Sequence, residues 1–135
     1  MAAVKTFHCS IVTPERAVLE TDAATFVALP AWDGEIGFLV DRAPIICKLA
    51  AGEARVRTAE GEKGWFIDGG FAEMVDNRLT VLTESARGPE ELDRTAAQEA
   101  LDEALSMPVR DKAEEAARER ALQRARAQLR LAGRD

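Results

Sequence analysis

The hydrophobic period of this chain changes once, at Gly88-Pro89, and that change constrains the fold more than any other feature. Before it, apolar and polar side chains alternate, the two-residue period of a strand with one buried and one wetted face. Phe7, Cys9 and Ile11 alternate in this way with His8 and Ser10. Similar short runs follow at 17–21, 24–30, 36–40, 44–50, 53–59, 65–68, 71–75 and 79–84. Turn residues separate them: Thr13-Pro14-Glu15, Ala31-Trp32-Asp33-Gly34, Ala51-Gly52, Glu60-Gly61-Glu62-Lys63-Gly64, Gly69-Gly70 and Asp76-Asn77-Arg78. Roughly eight to ten strands at this spacing predict a sandwich or barrel over residues 1–87.

After Gly88 the period becomes helical. Pro89 suits the first turn of a helix, with Glu90, Glu91 and Asp93 near the positive end of its dipole. Leu92, Ala96, Ala100, Leu101, Ala104 and Leu105 recur at helical spacing, and Ser106-Met107-Pro108 stops the helix because proline removes a donor. A second helix is expected from about Val109 to Ala132, with Ala113, Ala116, Ala117, Ala121, Leu122, Ala125 and Leu129 on one side and Gly133 beyond its end. So short a connection predicts an antiparallel two-helix hairpin over residues 88–135. A chain of 135 residues has room for one domain and such an appendage, and not for two full domains.

Charge divides along the same boundary. Residues 1–87 carry 9 basic and 13 acidic groups, residues 88–109 carry 1 and 6, and residues 110–135 carry 8 and 5, so the nets are −4, −5 and +3. The oppositely charged helices suit each other, and the basic one also suits an acidic partner. Of the 25 alanines, many lie in the helical seam, and alanine buries too little apolar area to hold a helix firmly at ~25 cal/mol/Å². The hairpin is therefore expected to dock weakly enough to move. A net charge of −6 argues against nucleic acid as the main partner, since phosphate binding needs a basic surface.

Several other classes fall away. No run approaches the roughly 18 apolar residues that span a bilayer, and the N-terminus lacks a basic-then-apolar signal, so the chain is expected to be soluble and unprocessed. Cys9 and Cys47 lie in apolar runs without C-x-x-C spacing, and His8 is the single histidine, so a structural zinc site is excluded and both thiols read as small buried side chains. There is no G-x-x-x-x-G-K-[ST] cradle, no G-x-S-x-G elbow, and no second histidine for a triad. His8 reads as an outward-facing strand residue rather than a base.

Three ordered motifs carry a resemblance. Gly34-Glu35-Ile36-Gly37-Phe38-Leu39 followed by Ala43-Pro44, then Ile67-Asp68-Gly69-Gly70-Phe71 with Glu73 and Val75 running into Asn77-Arg78-Leu79-Thr80-Val81-Leu82, and near the start Val12-Thr13-Pro14-Glu15, all fall in sequence along the chain. Together they resemble the epsilon subunit of bacterial F-type ATP synthase over essentially the whole length. The resemblance implies an N-terminal antiparallel β-sandwich and a regulatory C-terminal hairpin. It also implies a non-catalytic rotor-stalk subunit, bound to the gamma subunit and the membrane c-ring, that couples proton-driven rotation to ATP synthesis by other subunits. Its place would be the cytoplasmic face of the bacterial inner membrane, peripheral through the complex.

Site residues follow from the same resemblance. Glu35 is implied to contact the polar loops of the c-ring. Asp41 and Arg42 stand where the family commonly has G-H of a P-G-H, which implies a partner contact with arginine in place of imidazole. Arg118, Arg120, Arg124, Arg126 and Arg130 form the densest charge cluster. On an isolated helix these would be a solvated face balanced by Glu114, Glu115 and Glu119. The resemblance implies instead that the basic face, Arg118, Arg120, Arg124 and Arg126 above all, engages the catalytic α/β hexamer and brakes ATP hydrolysis. Where some members bind ATP, this chain keeps Asp93 and Arg124 but has Ala96 and Gln128 at two arginine positions, so no cofactor is expected. Composition alone also admits a β-sandwich adaptor with a helical interaction hairpin, which would leave the ordered motifs unexplained.

Overall fold

The computed structural model describes residues 4–133, so the outer ends of both segments, 1–3 and 134–135, lie outside the described residues. Eight strands come first: β1 (Phe7–Val12), β2 (Ala17–Ala24), β3 (Phe26–Ala31), β4 (Gly34–Phe38), β5 (Ile45–Thr58), β6 (Gly61–Val75), β7 (Arg78–Leu82) and β8 (Ala86–Arg87). They hydrogen-bond in the order β2-β1-β7-β6-β5-β3-β4, with β8 paired to β6. Neighbours are antiparallel except for β1 and β7, which run parallel.

The strand count falls at the low end of the expected range because two expected turns are not turns. The runs 44–50 and 53–59 form the single strand β5, and 65–68 and 71–75 belong to β6. The β5–β6 register holds from Ile45 opposite Met74 to Thr58 opposite Gly61. At Ala51-Gly52 and Gly69-Gly70 the chain does not reverse; it changes which face looks inward. In β5 the core takes Leu49 and then Ala54 and Val56, and in β6 it takes Trp65 and Ile67 and then Ala72 and Met74. Inward positions are thus odd on one side of the break and even on the other. A single long ribbon therefore serves both layers, one end beside β7, β1 and β2 and the other beside β3 and β4.

Glycine is required at this break. Gly69 and Gly70 have φ of 74° and 107°, conformations closed to most side chains. A Cβ on Gly70 would also press into β7, 2.9 Å from both Leu82 C and Thr83 Cα. The Glu60–Gly64 turn shortens in the same spirit, since residues from Gly61 onward already belong to β6. Between β6 and β7 the turn is as expected, with Asp76 and Asn77 at φ of 50° and 58°, the left-handed pair of a tight hairpin. Phe7, Ile11, Val27, Leu29, Phe38, Met74, Leu79 and Val81 fill the space between the layers.

The helices begin later than the sequence suggests. Pro89 opens a short 3-10 turn, Pro89–Glu91, and α1 runs Arg94–Leu105 from a cap at Asp93 whose carboxylate accepts from Thr95 and Ala96 N–H. α2 runs Lys112–Leu131, capped by Asp111 through Glu114 N–H at 2.8 Å. In each case a side-chain acceptor satisfies orphan donors of the first turn, so the capping aspartate sets the start. α1 buries Ala97 and Ala104 rather than Ala96 and Ala100, and leaves Leu105 half exposed. α2 buries Leu122 and Ala125 as expected but leaves Ala113 and Ala116 outside the buried stripe. Each helix carries both exposed and buried alanines, so alanine by itself does not mark the buried stripe.

α2 also reaches the sheet. Ala127 and Leu131 pack on Phe66, with Ala51 and Leu92 at the margin, in a small cluster separate from the sandwich core. The hairpin is therefore docked across β5 and β6 through a handful of apolar groups.

Candidate partner-contact surfaces

The β3–β4 hairpin closes over a two-residue tip, Trp32-Asp33, with Ala31 opposite Gly34 and Pro30 opposite Glu35. The Trp32 backbone N–H donates to Lys48 O at 3.2 Å, and Trp32 is 72% exposed at the tip. Glu35 is not a free turn carboxylate, because Arg55 Nη2 donates to its Oε1 at 2.8 Å. Arg55 Nη1 also lies 3.7 Å from Glu62. The tip thus presents a large aromatic beside a carboxylate held by one guanidinium.

Asp41 and Arg42 stand past the other end of β4. Asp41 adopts φ of 63°, and its carboxyl is held below the usual carboxylate range, chiefly by the Asn77 side-chain hydrogen bond and then by the Lys5 charge. Arg42 carries its guanidinium carbon 5.4 Å from the Phe38 ring centroid. Asp41 and Arg42 are therefore tied to the β6–β7 turn and the end of β4, whereas Glu35 is tied to β5. The three candidates border β4 without sharing a partner.

Spacing along the chain did not single out one outward face of the sheet. Phe71 and Leu82 sit opposite each other on β6 and β7, 55% and 53% exposed, and Ile46 is 70% exposed on β5. Val75 extends the same side of β6. The signal lies in apolar residues at wet positions: Phe71 and Val75 share the phase of Glu73, while Ala72 and Met74 point inward. Contiguous exposed apolar groups of this kind mark contact surfaces.

The arginines of α2 do not share one environment. Arg120, Arg126 and Arg130 are exposed and Arg118 is half-buried. Arg124 pairs with Asp68 on β6 and stands over Phe66, 5.8 Å from its centroid. Of the two residues that match the ATP-binding pattern, Arg124 is thus engaged with the sandwich and Asp93 caps α1.

His8 Nδ1 lies 2.6 Å from Asp22 Oδ1, and among the described residues no nucleophile joins the pair by hydrogen bond. Burial pushes the Cys9 thiol up to about 12 and raises Cys47 as well. Among the described residues no group of three or more His, Cys, Asp or Glu is placed to hold a metal ion. Among them too, no helix is long and apolar enough to cross a membrane.

Comparison with known proteins fits this arrangement. Residues 6–89 match the family described as ATP synthase, Delta/Epsilon chain, beta-sandwich domain. The chain is 43% identical over 123 residues to the ATP synthase epsilon chain of Rhodopirellula baltica, covering 91% of this chain and 95% of the relative. It is 37% identical over 131 residues to that of Nitratidesulfovibrio vulgaris, covering 96% and 97%. In fold it is similar to a chain of the Euglena gracilis mitochondrial ATP synthase, with a TM-score of 0.78 at 24% identity, covering 91% of this chain and 79% of that one. A sandwich matched over more than half the chain, and relatives aligned through both the sandwich and the hairpin, lead to one conclusion: the chain belongs to the ATP synthase epsilon-chain family.

Proposed function

We propose that this chain is a non-catalytic rotor subunit: residues 1–87 bind the gamma subunit and the c-ring, and residues 88–135 restrain ATP hydrolysis by the α/β hexamer. The observation that carries the reading is the outward apolar face of Ile46, Phe71, Val75 and Leu82 on a sheet otherwise wetted, which suits a stable protein contact with gamma. The tip carrying Trp32 and Glu35, with Arg42 beyond β4, is the ring contact, and Asp41 shapes its turn. Arg118, Arg120, Arg124 and Arg126 supply the brake through charge complementarity with an acidic segment of the hexamer. The subunit is held at the cytoplasmic face of the bacterial inner membrane by these partners.

A pull-down with gamma tests it. The full chain and residues 1–87 are both expected to retain gamma, and Phe71→Asp is expected to lose it while keeping a cooperative melt. An adaptor unrelated to the ATP synthase would retain no gamma in any form.

A further inference from the structure

Two arginines, one on β8 just before the hairpin and one within α2, converge on one ring. Arg87 lies on β8, the strand that leads out of the sandwich, and Arg124 lies in α2; their guanidinium carbons stand 5.7 Å and 5.8 Å from the Phe66 centroid. Phe66 is fully buried beneath Ala127 and Leu131. Arg87 Nε is buried without a hydrogen-bond partner among the described residues, so its ring contact is what that side of the guanidinium has. Asp68, two residues along β6, pairs with Arg124 while its own N–H is fixed by Ser85 O and Thr83 Oγ1. The carboxylate is therefore presented from a rigid backbone, and α2 brings the cation to it.

The geometry points to Phe66 and Asp68 as a latch for α2, with Arg124 as its bolt. This rests on the brake reading, because Arg124 belongs to the basic face assigned to the hexamer. Docked on Asp68 and Phe66, Arg124 has its charge satisfied inside the chain and is withheld from an acidic partner. Latching and braking are thus exclusive uses of one side chain, and Asp68 sets the balance between them. The apolar part of the dock is small enough for a single pair to matter: Ala127 and Leu131 on Phe66, with Ala51 and Leu92 beside them.

The test uses the isolated full chain and methyl NMR. Ala127 and Leu131 of α2 pack in one cluster with Phe66, so their methyl shifts carry ring-current displacements only while α2 is docked. Asp68→Asn and Arg124→Gln are each expected to raise the undocked population about fivefold, the scale of a partly exposed ion pair. The double variant should do no more than Arg124→Gln alone, since without the guanidinium the Asp68 carboxylate has no pair left to lose. Arg126→Gln, an exposed position on the same helix, should leave the population unchanged, and Ile11 and Val81 shifts should report an intact sandwich throughout. Unchanged populations in both single variants, additive effects in the double, or an equal response to Arg126→Gln would each overturn the latch. Hydrolysis by the reconstituted complex separates the two readings. If Asp68→Asn frees α2 and deepens inhibition, both stand; if it frees α2 and leaves hydrolysis unchanged, the latch stands and the brake falls.

Discussion

Asp41 and Asn77, 36 residues apart in sequence, clasp each other in both directions: Asp41 N–H donates to Asn77 Oδ1 at 2.6 Å, and Asn77 Nδ2 donates back to Asp41 Oδ1 at 3.0 Å. Both residues hold positive φ, and the clasp fastens the turn after β4 to the β6–β7 hairpin. Because Asp41's folded pKa is depressed, its contribution to stability is present above the unfolded carboxylate value and fades as pH falls through the folded one. A carbon-detected NMR titration should find Asp41 below the usual aspartate range, and Asn77→Ala should move it upward. No movement on Asn77→Ala would assign the depression to Lys5 instead.

Two glycine substitutions separate backbone strain from collision. Gly61 has φ of 128°, and a Cβ added there would meet nothing within 4 Å, so Gly61→Ala should cost only the conformational penalty, about 1–2 kcal/mol. Gly70→Ala adds a clash with β7 and should cost about 3 kcal/mol or more. Equal urea midpoints for the two variants would contradict the close approach of β6 and β7.

Much of the fold is legible in the sequence, and the two misread turns share one cause. Alternation locates the strands, and Thr13-Pro14-Glu15 and Asp76-Asn77-Arg78 are turns as expected. Ala51-Gly52 and Gly69-Gly70 mislead because a change of inward face and a chain reversal both interrupt a two-residue period. Only the unbroken β5–β6 register distinguishes them. Glu35, Asp41 and Arg42 can be named from motifs, but their intramolecular partners Arg55, Asn77 and Phe38 are tied to them by contacts that no motif spells out. Phe71 and Leu82 are visible only as apolar residues in the wrong phase, which becomes a surface once β6 and β7 are paired.

Thiol chemistry offers an inexpensive check on the core. With its pKa pushed up to about 12, Cys9 should resist iodoacetamide at neutral and mildly alkaline pH, and label only on unfolding. Cys47, half-buried and less perturbed, should label slowly in the native chain. Comparable native labelling of both by mass spectrometry would place Cys9 outside the core.

Removal of the hairpin after Arg87 should leave a cooperatively melting sandwich, because the main core cluster lies within residues 7–86. The fragment should nonetheless lose about 2 kcal/mol, since Phe66 is stripped of Ala127 and Leu131. A fragment as stable as the full chain by urea unfolding would mean that the dock contributes nothing.

Charge removal from α2 tests the brake itself. Arg118, Arg120, Arg124 and Arg126 replaced together by glutamine keep helix propensity high while removing the basic face. Reconstituted complexes carrying this variant or residues 1–87 should hydrolyse ATP faster than wild type, and wild-type inhibition should weaken as salt rises. Equal hydrolysis in all three would leave the arginines as a solvated surface.

The inversion at Gly69-Gly70 and Ala51-Gly52 means that the two layers of the sandwich are covalently one object. In a sandwich built from separate sheets, shear between layers is resisted by interdigitated side chains alone. Here β5 and β6 run through both layers as a hydrogen-bonded pair, so a sideways load on the Trp32 tip of one layer passes along two peptide backbones to the Phe71–Leu82 face of the other. Stretching covalent bonds costs far more than sliding methyl groups. For a body proposed to sit between a turning ring and a turning shaft, that makes the strand pair a torsion bar, and the glycines the points where it is bent to shape.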